Sequence, residues 1–269
     1  MSNDQLVITD LFIYPIKSLG GIRLDASMVG DMGLLHDRRW VLIDENNRFI
    51  TQREIPQLAF LATEITEDQL KVYDKRDRSD YLLLDLFPQT GETTSVQIWD
   101  DVCEAILISE IANSWFSKKL GMPARLAYMP STTKRLVDTS YAKEGEVTGF
   151  SDGYPILLIG SASLDNLNTR LEIPVGMDRF RPNIVFTGGS PYEEDLINEI
   201  KINDVILLGV KPCARCIMTT TNQETAERSK EPLYTLSTYR KQNNKVNFGQ
   251  NVLAKGEGTI RVGDIILYK

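Results

Sequence analysis

The stretch LVITDLFIY (Leu6–Tyr14) is predominantly apolar and is rich in β-branched and aromatic residues. This pattern predicts a β-strand. It recurs through the first hundred residues, in segments joined by short connections: Ile22–Val29, Arg38–Glu45, Arg48–Gln52, Leu70–Asp74, Tyr81–Leu86 and Ser95–Asp100. The turn-forming residues ENN (Glu45–Asn47) fit a tight connection between two of these strands. The N-terminal part of the chain is therefore predicted to be β-rich.

Helical periodicity first appears at SEIANSWFSKKLG (Ser109–Gly121), where a serine can cap the first turn and a glycine can end the last. Two more helices are predicted, at Ser161–Glu172 and at Glu231–Gln242. Further strands are predicted at Ile156–Gly160, Arg181–Gly188, Val205–Val210 and Ile217–Thr221, and two strands joined by a turn at Gly258–Lys269.

Many strands broken by few helices are typical of barrels and curved sheets in a mostly β chain of the α+β class. We expect a β-barrel-like N-terminal domain in residues 1–121 and a second β-barrel with peripheral helices in residues 122–269. No Gly/Ser-rich or Pro-rich linker marks this boundary, so it rests on the end of the first predicted helix.

The composition is that of a folded, acidic protein. Of the 269 residues, 42% are apolar and 25% are charged, which is enough for a sizeable core. A net charge of −7 argues against a broad basic surface for nucleic acid. No apolar run approaches the ~20 residues of a membrane helix, and the N-terminus lacks a signal-peptide pattern. Three cysteines do not make a disulfide framework, so a cytoplasmic location is expected.

Two of the cysteines, Cys213 and Cys216, lie in KPCARCIMTTT (Lys211–Thr221). A structural zinc site needs four ligands, and only Cys103 and His36 remain to complete one. A thioredoxin-like dithiol needs its CxxC at the start of a helix, whereas IMTTT is strand-like. Both of these interpretations stay open, and two more compete with them: both cysteines are buried and inert, or one thiolate binds a metal that carries sulfur ligands on a cofactor. The arginine between the cysteines favours a thiolate.

The order of motifs along the chain resembles that of two-domain MOSC proteins. The stretches that carry the resemblance are YPIKSLGG (Tyr14–Gly21), DRRW (Asp37–Trp40), FSDGYPILLIGSASLDNLN (Phe150–Asn168), FRPNIVFTGG (Phe180–Gly189), CARCIMTTT (Cys213–Thr221), QET (Gln223–Thr225), KEPLYTLSTYR (Lys230–Arg240), FGQN (Phe248–Asn251) and GTIRVGD (Gly258–Asp264). Together they span nearly the whole chain, which is far more specific than a lone CxxC. The resemblance implies a MOSC N-terminal β-barrel domain followed by a MOSC β-barrel.

Within this superfamily the chain is most similar to the mitochondrial amidoxime-reducing component and its bacterial relatives. Those proteins bind molybdenum through a pterin dithiolene (molybdopterin) and one protein cysteine, and they reduce N-hydroxylated compounds with release of water. By its position in the motif, Cys216 matches the metal ligand and Cys213 its neighbour. The resemblance therefore implies a molybdenum-cofactor-dependent oxidoreductase.

The remaining pocket follows by position in the same motifs. The residues implied to surround the pterin and its phosphate are Lys17, Ser18, Arg38, Ser151, Gly153, Tyr154, Arg181, Asn183, Ala214, Arg215 and Asn251. Charge considerations agree, because an acidic protein must gather local cations to hold a phosphate, and arginine forks suit phosphate oxygens. Asp152, on a turn of the same stretch, is interpreted as a catalytic residue for proton handling or substrate orientation. His36 is given no catalytic role, and the acidic run Glu193–Asp195 is interpreted as a solvated face.

Electrons are expected from a separate ferredoxin-, flavodoxin- or flavin-reductase-like protein, because the sequence has no GxGxxG nucleotide signature and no further cysteine cluster before Lys269. The substrate is expected to be a small N-hydroxylated molecule, with no stable nucleic-acid or membrane partner. The membrane-targeting leader of mitochondrial relatives is expected to be missing. Two alternatives stay open: a sulfur or molybdenum-cofactor carrier without reductase activity, and a dithiol switch of Cys213 and Cys216.

Overall fold

The structure is a computed structural model that describes residues 5–89, 91–138, 140–142 and 145–269. In the first half of the chain the strands are β1 (Leu6–Ile13), β2 (Ile22–Leu24), β3 (Ala26–Gly30), β4 (Gly33–Leu34), β5 (Trp40–Ile43), β6 (Leu61–Thr66), β7 (Gln69–Asp74), β8 (Asp77–Asp85), β9 (Thr93–Ile98), β10 (Asp101–Leu107) and β11 (Arg125–Tyr128). In the second half they are β12 (Arg135–Leu136), β13 (Val147–Thr148), β14 (Ile156–Gly160), β15 (Ile184–Thr187), β16 (Glu199–Ile202), β17 (Val205–Arg215), β18 (Lys241–Gln242), β19 (Lys245–Lys255), β20 (Gly258–Arg261) and β21 (Ile265–Tyr268).

The α-helices of the described ranges are few and short. They are α1 (Glu110–Leu120), α2 (Ser161–Asn168) and α3 (Leu233–Tyr239), and short 3-10 helices lie at Pro56–Phe60, Met177–Arg179, Glu193–Leu196 and Ile217–Thr220. The predicted mostly β fold is therefore confirmed. None of these helices is long and apolar enough to span a membrane.

Seven of the described strands close into a β-barrel, in the order β14–β15–β1–β21–β16–β17–β19, and antiparallel pairing of β19 with β14 completes the ring. Strand β1 lies between β15 and β21, because Val7 is paired with Thr187 of β15 on one side and with Ile265 of β21 on the other. A register shift between Ile8 and Asp10 lets the apolar residues on both sides of it point into the barrel core. The first strand of the chain is thus a component of the C-terminal barrel.

Seven of the other first-half strands form two sheets, β5–β11–β10–β9 and β6–β7–β8, while β2 pairs with β1 and β3 and β4 pair with β20 and with each other. The fold also contains a half-barrel. Helix α1 packs against the two sheets with Phe116 fully buried. Its ends are as predicted, since Ser109 Oγ accepts a hydrogen bond from the Ala112 amide at 3.2 Å and Gly121 adopts a left-handed φ of 66°. The division of the sequence at 121/122 remains a prediction.

The segment Arg48–Gln52 makes only isolated bridges, so the predicted strand there is wrong. Thr51 Oγ1 accepts a hydrogen bond from the amide of Arg53 at 3.1 Å, and the Thr51 carbonyl accepts one from Ile55 at 2.9 Å. These bonds turn the chain where a strand would have continued.

The predicted strand at Ile217–Thr221 is also wrong, because this segment is a 3-10 helix, Ile217–Thr220. Thr219 Oγ1 donates to the carbonyl of Cys216 at 3.0 Å, and Thr220 Oγ1 donates to the carbonyl of Ile217 at 2.7 Å. Hydroxyl bonds to carbonyls three residues back favour a helical turn and outweigh the strand preference of threonine.

Two predicted helices are shorter than expected. Helix α2 ends at Asn168, whose side chain donates to the Val175 carbonyl at 3.0 Å and accepts from the Val175 amide at 2.9 Å. This pair of bonds closes a loop where the helix was predicted to continue to Glu172. Helix α3 is confined to Leu233–Tyr239, and Gln242 already belongs to β18.

The acidic run Glu193–Asp195 is not a solvated face. Glu194 is fully buried and accepts a hydrogen bond from Ser163 Oγ at 2.7 Å. Asp195 forms an ion pair with Arg240 at 2.5 Å. The sequence alone could not separate this arrangement from an exposed acidic turn, because the partners lie far away in the chain.

Candidate functional site

Every residue that the sequence predicts for the site lines one cleft, to which both halves of the chain contribute. Those residues are Lys17, Ser18, Arg38, Ser151, Asp152, Gly153, Tyr154, Arg181, Asn183, Ala214, Arg215, Cys216 and Asn251. The cleft has a volume of about 890 Å³, part of it open solvent. The sequence did not predict these further lining residues: Arg53, Leu157, Arg179, Phe180, Met218 and Thr219.

Strand β17 brings the cysteine pair to the cleft. Its last residues, Ala214 and Arg215, pair with β19, and Cys216 follows directly as the residue before the 3-10 helix. The turn that follows moves the chain away from β19, so that Cys216 lies at the end of the ladder. On β19 itself, Asn251 lines the cleft and donates to the Lys211 carbonyl at 3.2 Å.

An arginine from the first half of the chain contacts the sulfur of Cys216. Arg53 Nε donates to Cys216 Sγ at 3.2 Å, and Arg53 Nη2 donates to Asp152 Oδ2 at 2.6 Å. One guanidinium therefore bridges the cysteine and the carboxylate. Sequence reasoning missed Arg53, because a contact between residues 163 positions apart leaves no local pattern.

The arginine within the CxxC motif, Arg215, contacts the sulfur of the other cysteine, Cys213. Arg215 Nη1 donates to Cys213 Sγ at 3.0 Å, and Arg215 Nη2 donates to the Phe180 carbonyl at 2.7 Å. Cys213 also lines the cleft, and it packs against the hydrophobic cluster that includes Phe180 and Phe248. The two cysteines are unbonded and have different surroundings, one packed and one facing Arg53.

The remaining zinc-type ligands lie elsewhere. Cys103 is buried in a different core cluster, and burial raises the pKa of its thiol. His36 packs edge-on against Phe87, with the ring centroids 4.9 Å apart. Among the described residues, no group of three or more His, Cys, Asp or Glu side chains is placed to hold a metal ion. Protein side chains alone therefore do not assemble a closed metal site there.

Asp152 is held by two cations. Lys17 Nζ lies 2.6 Å from Asp152 Oδ1, and Lys17 also donates to the Phe150 carbonyl at 2.7 Å. Burial alone would raise the pKa of the Asp152 carboxyl, but Lys17 and Arg53 outweigh it and hold that pKa well below its usual range. The Asp152 side chain is 54% exposed, so solvent weakens both ion pairs. Asp152 is ionised at neutral pH.

Lys17 is the buried member of this group, with 7% of its side chain exposed. Burial lowers the pKa of its amine to about 8, against the opposing effect of Asp152. The charge of Lys17 therefore responds to pH just above neutrality, unlike that of an exposed lysine.

Two guanidinium groups stack on Tyr14. The Cζ atoms of Arg181 and Arg38 lie 4.1 and 4.4 Å from the ring centroid. Arg38 donates hydrogen bonds to Asp37, to Asn183 and to the Arg181 carbonyl. The guanidinium of Arg181 makes no hydrogen bond to any described residue, and burial lowers its pKa to about 10. Arg181 is thus a buried cation with unused donors at the cleft wall.

The side chain of Asn183, at the cleft wall, is hydrogen-bonded to three other residues of the protein. Its Oδ1 accepts from Arg38 and from the Leu157 amide, and its Nδ2 donates to the Phe12 carbonyl. Ser151 Oγ is likewise bonded to Thr148 Oγ1. These side chains are used within the protein, so they position their neighbours.

Three cleft residues have left-handed backbone conformations that are rare outside glycine. Their φ angles are 70° for Ser18, 47° for Arg38 and 56° for Arg181. Such conformations cost on the order of 1–2 kcal/mol each and persist only where surrounding structure enforces them. Their concentration around one cleft points to a functional site.

The donor set fits an anionic, phosphate-bearing cofactor. Six cationic side chains line the cleft: Lys17, Arg38, Arg53, Arg179, Arg181 and Arg215. Their carboxylate partners are fewer, and the buried Nε of Arg215 has no hydrogen-bond partner among the described residues. A Cβ added to Gly153 would meet no atom within 4 Å, which leaves room beside its backbone. Such a site attracts phosphate.

Comparison with known proteins identifies the family of this chain. Residues 5–123 match the MOSC N-terminal beta barrel domain, and residues 145–267 match the MOSC domain. Mitochondrial amidoxime-reducing component 1 of Mus musculus is 34% identical over 96% of this chain and 80% of its own length. The chain therefore belongs to the MOSC family, as a member that combines the MOSC N-terminal and MOSC domains.

A second relative is a longer protein. Molybdenum cofactor sulfurase of Oryza sativa subsp. japonica is 30% identical over 90% of this chain, which spans 32% of the sulfurase. Among solved structures, the YUAD protein from Bacillus subtilis aligns over 98% of this chain and 97% of its own, with 10% identity and a TM-score of 0.42. A score that low adds nothing to the assignment.

Proposed function

We propose that this protein is a molybdenum-cofactor-dependent oxidoreductase that reduces small N-hydroxylated compounds, such as hydroxylamines, amidoximes and N-oxygenated bases. The observation that carries the proposal is the setting of Cys216. Its sulfur contacts Arg53 at a cleft lined by six cationic side chains. The sequence similarity to amidoxime-reducing component 1 over 96% of the chain supports the choice of reaction.

In this proposal Cys216 ligates molybdenum, and the cleft holds molybdopterin. Arg181 and Arg215, which have unused donors, are suited to the phosphate. The residues proposed to line the rest of the cofactor are Lys17, Ser18, Arg38, Ser151, Gly153, Tyr154, Asn183, Ala214 and Asn251. Of these, Asn183 acts by positioning, because its amide is already bonded within the protein.

When bound, the cofactor supplies the two-electron redox chemistry in which an N-hydroxylated amine, two electrons and two protons give the amine and water. Asp152 is ionised and faces the same guanidinium as Cys216, so it is suited to accept a hydrogen bond from the substrate N–OH and orient it. Lys17, with a pKa of about 8, is the better matched proton donor at neutral pH. Both roles need only side chains already in mutual contact.

The electrons come, in this proposal, from a separate ferredoxin-, flavodoxin- or flavin-reductase-like protein. The cleft is partly open to solvent, which leaves a path for such a protein to approach the metal. The donor is identified by its chemistry as a carrier of single electrons or of a reduced flavin.

The test starts with metal content. Protein purified from molybdate-supplied cells is expected to hold about one molybdenum per chain. With a chemical reductant it is expected to convert benzamidoxime to benzamidine. Cys216→Ala is expected to lose both molybdenum and activity, while Cys213→Ala keeps much of each, because Arg53 contacts Cys216 whereas Cys213 is bonded to Arg215.

Two outcomes contradict the proposal. Protein without molybdenum, together with equal loss in both cysteine variants of a disulfide-exchange activity, would indicate a dithiol switch. Protein that holds molybdenum but converts no hydroxylamine or amidoxime would indicate a carrier.

The carrier is the second candidate function, favoured by the similarity to a molybdenum cofactor sulfurase over 90% of this chain. In that case Cys216 carries persulfide or holds cofactor for delivery. Mass spectrometry of Cys216 after incubation with a sulfur donor, and transfer of cofactor to an acceptor apoenzyme, would separate it from the reductase.

A further inference from the structure

A second cavity adjoins the cleft, and Arg53 lines both. Its wall combines apolar and polar side chains. The apolar ones are Phe49, Ile50, Ile55, Trp99 and Met122, and the polar ones besides Arg53 are Asp44, Arg48, Thr51, Glu54, Gln97 and Asp100. Because Arg53 contacts the Cys216 sulfur at 3.2 Å, this cavity lies one side chain away from the proposed metal ligand. A substrate whose reacting end is at that sulfur can extend into it.

Trp99 is the unusual residue of this wall. It is 42% exposed, although tryptophan is among the most hydrophobic side chains. It lies in the tight turn between β9 and β10, where Ile98 pairs with Asp101, and its φ is 55°. That position normally takes glycine or asparagine, and a bulky residue is an outlier there. Trp99 thus keeps a strained backbone conformation, and its indole lines the cavity.

The indole is part of an aromatic and cationic group that leads back to the cleft. The rings of Trp99 and Phe49 meet edge to face, with centroids 4.8 Å apart and planes at 71°. The Arg53 Cζ lies 4.6 Å from the Trp99 ring centroid, and Lys17 Nζ lies 5.3 Å from the Phe49 centroid. Both cations also hold Asp152. The aromatic wall and the proposed substrate-orienting carboxylate therefore share the same two partners.

We propose that this cavity is the subsite for the organic part of the substrate, and that it takes a planar, conjugated group stacked against Trp99. This inference rests on the proposed function, because it takes the N–OH end to be at Asp152 and the Cys216 sulfur. A flat ring gains from stacking on an indole, whereas a methyl group buries little of it. Aryl and heteroaryl substrates are consequently preferred over small aliphatic ones.

Binding is tested without turnover, by calorimetry with the two reaction products benzamidine and acetamidine. Wild-type protein from molybdate-supplied cells is expected to bind benzamidine about tenfold more tightly than acetamidine, because one aromatic contact provides a difference of that size. Trp99→Ala is expected to remove most of this difference, and Trp99→Phe to keep part of it. The matched control is Trp115→Phe on α1, whose indole is bonded to Asp80 away from both cavities.

Turnover gives a second readout. For Trp99→Ala, kcat/KM for benzamidoxime is expected to fall about tenfold further than kcat/KM for acetamidoxime. Equal binding of the two amidines by wild-type protein, or an unchanged ratio in Trp99→Ala, would overturn the subsite. If no amidoxime is reduced, the proposed reaction fails, and the subsite is then decided by calorimetry: ring preference that depends on Trp99 supports it and its absence overturns it.

Discussion

Gln52 and Gln223 exchange amide hydrogen bonds in both directions, at 3.2 and 3.0 Å, across 171 residues of sequence. Both side chains are buried, and their remaining amide hydrogens are used by the carbonyls of Ser18 and Thr221. Gln52 directly precedes Arg53, so this pair fixes the Arg53 turn to the segment that follows Cys216. The contact between Arg53 and the Cys216 sulfur thus depends on the hydrogen-bonded pair Gln52 and Gln223, which joins the first half of the chain to the second.

Breaking this pair from one side is expected to destabilise the fold. Gln223→Leu leaves the Gln52 amide buried without its partner, which costs about 1–3 kcal/mol. The double variant Gln52→Leu/Gln223→Leu is expected to lose less stability than the sum of the two single variants, because the bonds between the two amides are lost only once. The shift of the urea midpoint measures both. Gln69→Leu, at an exposed position, is the control and is expected to change stability by less than about 0.5 kcal/mol. A single variant as stable as wild type would contradict this role.

Removing the Arg53 guanidinium is expected to impair catalysis more than metal loading. Arg53→Met deletes charge-assisted bonds to the Cys216 sulfur and to Asp152, which together provide on the order of 1.5–3 kcal/mol. We expect kcat/KM for an amidoxime to fall roughly tenfold to a hundredfold per bound molybdenum. Arg53→Lys is expected to recover little, because a single ammonium cannot bridge both groups as the guanidinium does. Arg261→Met, at an exposed position, serves as control; equal kinetics in both variants would count against Arg53.

Anion binding in the cleft is expected to weaken as pH rises through about 8. Burial lowers the pKa of Lys17 to that value, so its charge is present below pH 8 and is lost above it. Sulfate is a suitable probe, because its own charge does not change over this range. We expect its affinity to fall roughly fivefold to tenfold between about pH 7 and about pH 9.5.

The control for this effect is Lys17→Arg, whose guanidinium stays charged throughout. Lys17→Met is expected to bind sulfate weakly at both pH values and to show a flat profile. Calorimetry measures all three proteins. A wild-type profile as flat as that of Lys17→Arg would remove Lys17 from the anion site.

Glu194 is expected to make the fold less stable at alkaline than at acidic pH. Burial raises the pKa of its carboxyl to about 7, so the folded state binds a proton that the unfolded state releases near pH 4.5. The stabilising effect of this bound proton on the fold is therefore fully present below about pH 4.5 and is lost as pH rises through about 7. The amide of Glu194→Gln cannot ionise, so this variant is expected to gain up to about 3 kcal/mol relative to wild type between about pH 5 and about pH 8. Urea unfolding at both pH values tests it. Glu45→Gln, in an exposed turn, should track wild type.

The sequence predicted well where the cause of structure is local. The apolar, β-branched stretch Leu6–Tyr14 predicted β1, and the serine and glycine at the ends of Ser109–Gly121 predicted the limits of α1. It predicted poorly where partners are distant. Strand β19, which pairs with β17 and closes the barrel against β14, follows no strict alternation and went unpredicted. In the segment after Cys216, threonine hydroxyls bonded to the backbone reversed the expected strand.

By itself the sequence determined which chemical groups are present, and its motifs grouped residues that all line one cleft, among them Cys216, Arg181 and Asp152. Only the tertiary structure decided which cation serves which sulfur, since Arg215 contacts Cys213 and Arg53 contacts Cys216. It also decided that Glu194 is buried and that Trp99 faces a cavity beside Arg53. The physical reason is that side-chain identity is fixed locally, whereas burial and pairing depend on the fold, which brings Arg53 to Cys216 across 163 positions of the chain.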